Sequence, residues 1–169
     1  MKKYISPVVC GFAAGVLQVV PLIKSFSCCL ILPAAAFFAL LLDQKATKST
    51  ERIQMSKALL FGLYTGLTAA FFGTIFEIMI TFITRQNDII IAFPEMQRMV
   101  EGFPLSPEIK NEVMSIFQTV RKELMDTGFS WIYTISILFN NFFINSVFGI
   151  IGGLIGAQII NSKNKSSEV

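Results

Sequence analysis

Four apolar stretches, separated by charged segments, dominate the pattern of the chain. A hydrocarbon layer of roughly 30 Å takes about 20 helical residues to cross. The first stretch runs over 5–23, the second over 27–42 and the third over 58–83; the fourth covers 137–160, inside an apolar run that begins at Phe129. Trp131 and Tyr133 precede this last span and are expected in the headgroup zone, where such rings prefer to lie. The second stretch is the shortest and contains Pro33. It either crosses fully, with a tilt or a locally thinned bilayer, or turns back as a re-entrant hairpin with the first.

The segments between the stretches differ in kind. Lys24 to Phe26 predicts a tight turn after Pro21. Asp43 to Lys57 predicts a short loop with four basic residues, Lys45, Lys48, Arg52 and Lys57, against Asp43 and Glu51. Thr84 to Gly128 is long and net acidic, with seven carboxylates against five basic side chains. Within it, Ser106-Pro107-Glu108 reads as an N-cap, a proline in the first helical position and an acid near the positive helix end. Ile109, Val113, Ile116, Val120 and Leu124 then recur at helical spacing with Phe117 beside them, and Gly128 supplies the stop. The spacing predicts an amphipathic helix over 107–127. Its apolar face rests on the membrane surface, on the bundle or on another copy, and its mixed charge favours docking on the protein over binding a lipid surface.

The fold class expected is therefore all-α. It is an integral membrane four-helix bundle forming one domain over 1–169, with one extramembrane amphipathic helix. Composition agrees: of 169 residues 53% are hydrophobic and only 15% charged, with 17 Phe and no His, unlike a soluble domain. A net charge of +3 gives no case for nucleic acid; the bilayer is the expected partner. Position of charge matters more than its sum. Lys2, Lys3, the second loop, Lys163 and Lys165 share one side if there are four spans, and short positive flanks stay in the cytoplasm. The expectation is a multi-pass cell-membrane protein with both termini cytoplasmic. Met1-Lys2-Lys3 before an apolar run resembles a signal-peptide start, but no small-x-small cleavage pattern follows, so the run reads as an uncleaved first helix.

In lipid, helices associate through small residues that permit close approach. Gly11 and Gly15 in the first span, Gly62, Gly66 and Gly73 in the third, and Gly149, Gly153 and Gly156 in the fourth supply such faces. Polar residues extend the same faces at helical steps: Gln18 after Gly15, Glu77 after Gly73, Asn141 and Asn145 before Gly149. At about 1.5 Å per residue, Gln18, Glu77 and Asn145 reach similar depths. They are expected as one intramembrane polar cluster, with Asn141 nearer the surface. Glu77 is the only acid inside an expected span. It is read either as a structural hydrogen-bonding group that fixes helix packing, or as a cation site or proton relay with the amides as helpers.

Little else carries chemistry. There is no phosphate loop, no nucleophile beside a base and no metal-ligand spacing, so no catalytic, cofactor-binding or metal-binding residue is assigned. Met96, Met99, Met114 and Met125 read as packing. Thr65, Thr68, Thr74 and Thr81 need no role beyond bonding their own helix backbone. Cys10, Cys28 and Cys29 form neither a disulfide framework nor a zinc set. They are small apolar residues of a helix, or sites of palmitoylation or redox chemistry.

Lys57-Ala58-Leu59-Leu60-Phe61-Gly62-Leu63-Tyr64-Thr65-Gly66, Leu105-Ser106-Pro107-Glu108 and the glycine-rich Gly149 to Gly156 resemble, from about residue 50 onward, a family of small bacterial four-helix membrane proteins classified as a domain of unknown function. Gly15 to Pro21 with Cys28-Cys29 is similar to the first hairpin of other small bacterial membrane proteins. The resemblance implies a bacterial inner-membrane location and a four-span layout, with no activity and no functional residue. The functional expectation is a non-enzymatic accessory or assembly protein, joined to a second copy or to a membrane-protein partner. The alternative is a small ion or proton-coupled transporter or channel using Glu77.

Overall fold

Proline decides where the first apolar stretch stops being one helix. The computed structural model describes residues 4–49 and 51–166, in which α1 (Ile5–Gln18) ends before Val19 and Val20 and a single turn, α2 (Pro21–Lys24), follows. Val20 is extended, with ψ 119°, because the ring of Pro21 disfavours the helical region for the residue before it, and Pro21 has no N–H to continue the ladder. The unbroken helix expected over 5–23 is thus a 14-residue helix, a break and a turn. The tight turn expected over 24–26 shrinks to Ser25 and Phe26.

The second stretch is longer than expected. A π-turn at Ser27–Ile31 leads into α3 (Leu32–Thr47). Ile31 N–H reaches back five residues to the Phe26 carbonyl at 3.4 Å and Leu30 N–H four residues to the same oxygen at 3.0 Å. Pro33 therefore falls in the first turn of α3, where its missing N–H leaves no gap. The helix also passes Leu42, where the apolar run ends. Asp43 is buried on α3 and accepts an ion pair from Lys57 at 2.6 Å. It stops at Lys48, which takes the left-handed conformation (φ 50°) while Ser49 N–H bonds the Gln44 carbonyl at 3.2 Å, closing carbonyls that the helix end leaves open. The loop expected over 43–57 is correspondingly shorter, since α4 (Met55–Thr84) starts before Ala58.

The remaining elements are α5 (Asp88–Gly102), α6 (Pro107–Thr127) and α7 (Trp131–Ser166). Helix α6 has the expected bounds: the Ser106 hydroxyl accepts from Ile109 N–H at 3.5 Å and Gly128 closes it at φ 77°. Helix α5 was not expected, and Pro94 lies inside it. Its start carries a clear signal, Asn87 capping Ile89 N–H at 2.9 Å with Asp88 in the first turn. Every regular element among the described residues is helical. Three helical segments, Cys29–Thr47, Met55–Thr84 and Trp131–Asn164, are long and apolar enough to cross a membrane, and Ile5–Gln18 is a shorter apolar helix.

The chain divides into two compact units, one of residues 1–76 and 138–169 and one of residues 77–137. In the first, α1 packs on α3, and glycines bring the other helices together. A Cβ on Gly11 would strike the Thr65 carbonyl and the Thr68 side chain; one on Gly15 would reach the Ala69 carbonyl and Gly73 N at 3.0 Å. Gly62 and Gly149 face each other backbone to backbone, Gly66 meets the Asn145 carbonyl, Gly153 the Ala58 carbonyl, Gly152 the backbone of Pro33 and Gly156 that of Phe37. The small-residue faces are closed within one chain. In the second unit, α5 packs on α6, and Val120 and Leu124 bury against Tyr133, with Ile89, Ile90 and Ile137 beside them.

Candidate functional site

Among the expected polar residues of the first unit, Gln18 and Asn145 form a reciprocal pair. Gln18 Nε2 donates to Asn145 Oδ1 at 3.0 Å and Asn145 Nδ2 donates to Gln18 Oε1 at 3.2 Å. Both side chains are buried. Two amides facing in this way each satisfy one donor and one acceptor, which suits a site without water. Gly73 makes room for the pair, since a Cβ there would lie 2.9 Å from Gln18 Oε1. Asn141 bonds elsewhere: its Nδ2 donates to Thr74 Oγ1 at 3.0 Å. Thr65 and Thr68 bond their own helix at the Phe61 and Tyr64 carbonyls, 2.8 and 2.7 Å away. Thr74 has the further task of receiving Asn141.

Glu77 belongs to the second unit, and its partner is Tyr133, whose hydroxyl donates to Glu77 Oε1 at 3.1 Å. The same phenol oxygen accepts from Asn87 Nδ2 at 2.6 Å, and Asn87 Nδ2 also donates to Thr81 Oγ1 at 2.9 Å. Asn87 Oδ1 is meanwhile held by Ile89 N–H. The α5 cap thus fixes which way the Asn87 amide points, the amide donates to the Tyr133 oxygen, and the phenol proton is left for Glu77. Asn87, Thr81 and Tyr133 are buried, while Glu77 is half-exposed. Glu77 stands seven residues before the end of α4, roughly 10 Å along the axis. A carboxylate held by an oriented hydroxyl and partly open is chemically able to bind a cation or pass a proton. It is equally able to anchor helix packing.

Tyr133 was expected at the headgroup zone and Thr81 only as a partner of its own helix backbone; Asn87 was not singled out, though it stands in front of an acid and an apolar run. Asn161 is a further unexpected polar group. Its side chain captures both backbone groups of Ile53, accepting from N–H at 2.8 Å and donating to the carbonyl at 3.0 Å, which ties the loop before α4 to α7. Cys10 is buried and Cys29 exposed, both with free thiols. Lys2 and Lys3, invoked for orientation, and the side chains of Cys28 and Lys165, lie outside the described residues. No group of three or more His, Cys, Asp or Glu side chains among the described residues is placed to hold a metal.

The apolar face of α6 is only half used. Leu124 is fully buried and Val120 nearly so, but Ile109 is 47% and Ile116 46% exposed. Met99 and Phe103, toward the end of α5, and Leu105 in the connection are exposed too. Arg121 lies over the Phe93 ring, 4.6 Å from its centroid, a cation–π contact that holds the hairpin's two helices together.

The chain matches no protein-family model, no curated protein and no solved structure.

Proposed function

We propose that this is a non-enzymatic integral membrane protein that acts as an accessory or assembly factor and meets its partner through the α5–α6 hairpin. Four passes as a bundle, with both ends on the cytoplasmic side, suit the basic flanks. They require α1 and α2 to cross together: residues 5–24 supply about 30 Å even with a break at Val20. The resemblance to small bacterial four-helix membrane proteins supplies the inner membrane as the location.

The observation that carries the reading is the half-open face of α6. Burying Val120 and Leu124 accounts for docking the helix within its unit. It leaves Ile109 and Ile116, with Met99, Phe103 and Leu105, as apolar surface beside charged residues, the pattern of an interaction site. The net acidic balance of the hairpin disfavours an anionic lipid surface and favours protein. A second copy docking through the glycines is disfavoured because those faces are already closed within the chain, so self-association too would use the hairpin.

The test compares variants in native membranes. Ile109→Ser with Ile116→Ser should cut recovery of the co-purifying partner at least tenfold, while Glu77→Gln leaves it unchanged. Unchanged recovery in the serine variant removes the support for docking.

One observation favours the second reading. The Asn87–Tyr133–Glu77 chain ends on a half-exposed carboxylate, as a proton or cation path requires. Under that reading Glu77→Gln abolishes an ion flux in vesicles and the serine variant does not.

A further inference from the structure

Three lysines gather where α3 and α7 end in the first unit. Lys45 and Lys48 come from the last turn of α3 and its left-handed cap, and Lys163 from the last turns of α7. Together they line a cavity of about 420 Å³. Its other wall is apolar, with Phe37, Leu41 and Ile159 continuing the exposed apolar surface that Phe38, Leu42 and Ile155 present on the same two helices. No acidic side chain among the described residues lines it.

The simplest account of such lysines is that they complement helix C-termini, each worth about half a negative charge. Two termini need about one positive charge, and Lys45 and Lys48 by themselves bring two. Nor does that account explain a cavity whose floor is greasy and whose rim is basic. A soluble phosphate would use the rim and gain nothing from the floor. A phospholipid uses both: the phosphate meets the ammonium groups, and the first acyl carbons lie on the apolar wall that runs on into the lipid-facing surface.

We propose that this cavity binds one anionic phospholipid, its phosphate between Lys45, Lys48 and Lys163 and its acyl chain along Phe37, Leu41 and Ile159. The proposal rests on the membrane placement above and is independent of the hairpin partner, which belongs to the other unit.

Native mass spectrometry of the full chain in neutral detergent tests it. Phosphatidylglycerol and phosphatidylcholine of identical chains are supplied in competition, and inorganic phosphate is added as a soluble rival. One phosphatidylglycerol should be retained at least about tenfold better than phosphatidylcholine. The double variant Lys45→Gln, Lys48→Gln should lose at least about tenfold in that affinity, and the single variant Lys163→Gln a smaller share. The pair Lys110→Gln, Lys122→Gln, which removes the same charge from the hairpin, should change nothing. Equal retention of the two lipids, equal loss in the hairpin control, or full retention in the double variant would each overturn the site. Displacement of the lipid by inorganic phosphate at comparable concentration would show a soluble anion as the ligand and overturn the lipid assignment. If the double variant does not fold, the wild-type competition still decides.

Discussion

Replacing Gly149 by alanine tests the packing of the first unit at one of its close backbone contacts. A Cβ built there meets the Gly62 carbonyl, well inside van der Waals distance, and then Gly66 Cα at 3.1 Å and Gly66 N at 3.2 Å. All three neighbours are backbone on α4, so no side chain can rotate away and the helices must separate. Overpacking of this kind costs about 1–3 kcal/mol. Separation also pulls on Gln18 and Asn145, whose two hydrogen bonds are worth roughly 0.6 kcal/mol each in a membrane setting. Against this stands alanine's helix propensity, about 1 kcal/mol better than glycine. The expected net loss is about 1–3 kcal/mol. Equilibrium unfolding in lipid bicelles reads it, with Gly102→Ala as the control: at Gly102 a Cβ meets nothing within 4 Å, so that variant should be neutral or slightly stabilised. If Gly149→Ala is as stable as the parent while the control behaves, the backbone contact between α4 and α7 is not the packing determinant argued here.

Two further outcomes follow from single contacts. In a double-mutant cycle of Gln18→Leu and Asn145→Leu, the coupling energy should be about 1–2 kcal/mol, since each single change strands the other amide in an apolar site; additive singles would mean that the pair contributes no mutual stabilisation. Asn161→Ala should unpin the loop before α4, because both backbone groups of buried Ile53 lose their partner, at a cost of about 2 kcal/mol. Trypsin cleavage at Arg52 should then accelerate several-fold, and an unchanged rate would show that the loop is held by something else.

What could be read from the sequence was what local chemistry sets. Ser106, Pro107 and Gly128 bracket α6 because capping, proline and a left-handed glycine act over three or four residues. The glycine spacings marked small-residue faces without saying which faces meet. Hydropathy misled where a local rule outranked it. Pro21 interrupts an apolar run that hydropathy alone would continue, and Asp43 extends a helix past its apolar end because Lys57, 14 residues on, offsets the buried charge. Helix α5 was not read at all, and in it Pro94 is a breaker tolerated inside a helix. The partners of the polar residues were not legible at all. Glu77 and Tyr133 stand 56 residues apart, and Asn141 and Thr74 stand 67 apart, with nothing local to join them. Depth along a helix placed Gln18 beside Asn145. For Asn141 and Glu77 it gave no rotation or reach, and these depend on which neighbours arrive from elsewhere in the chain.

The claim that the hairpin is the docking element is tested most directly by site-specific photocrosslinking in intact membranes, with the probe at Ile116 and, for comparison, at surface-exposed Ile151 of α7. The account predicts one discrete protein adduct from Ile116, at the mass of a single partner or of a second copy, and only lipid adducts from Ile151. A probe at Ile116 that captures lipid alone, or protein adducts from Ile151 and none from Ile116, would contradict it.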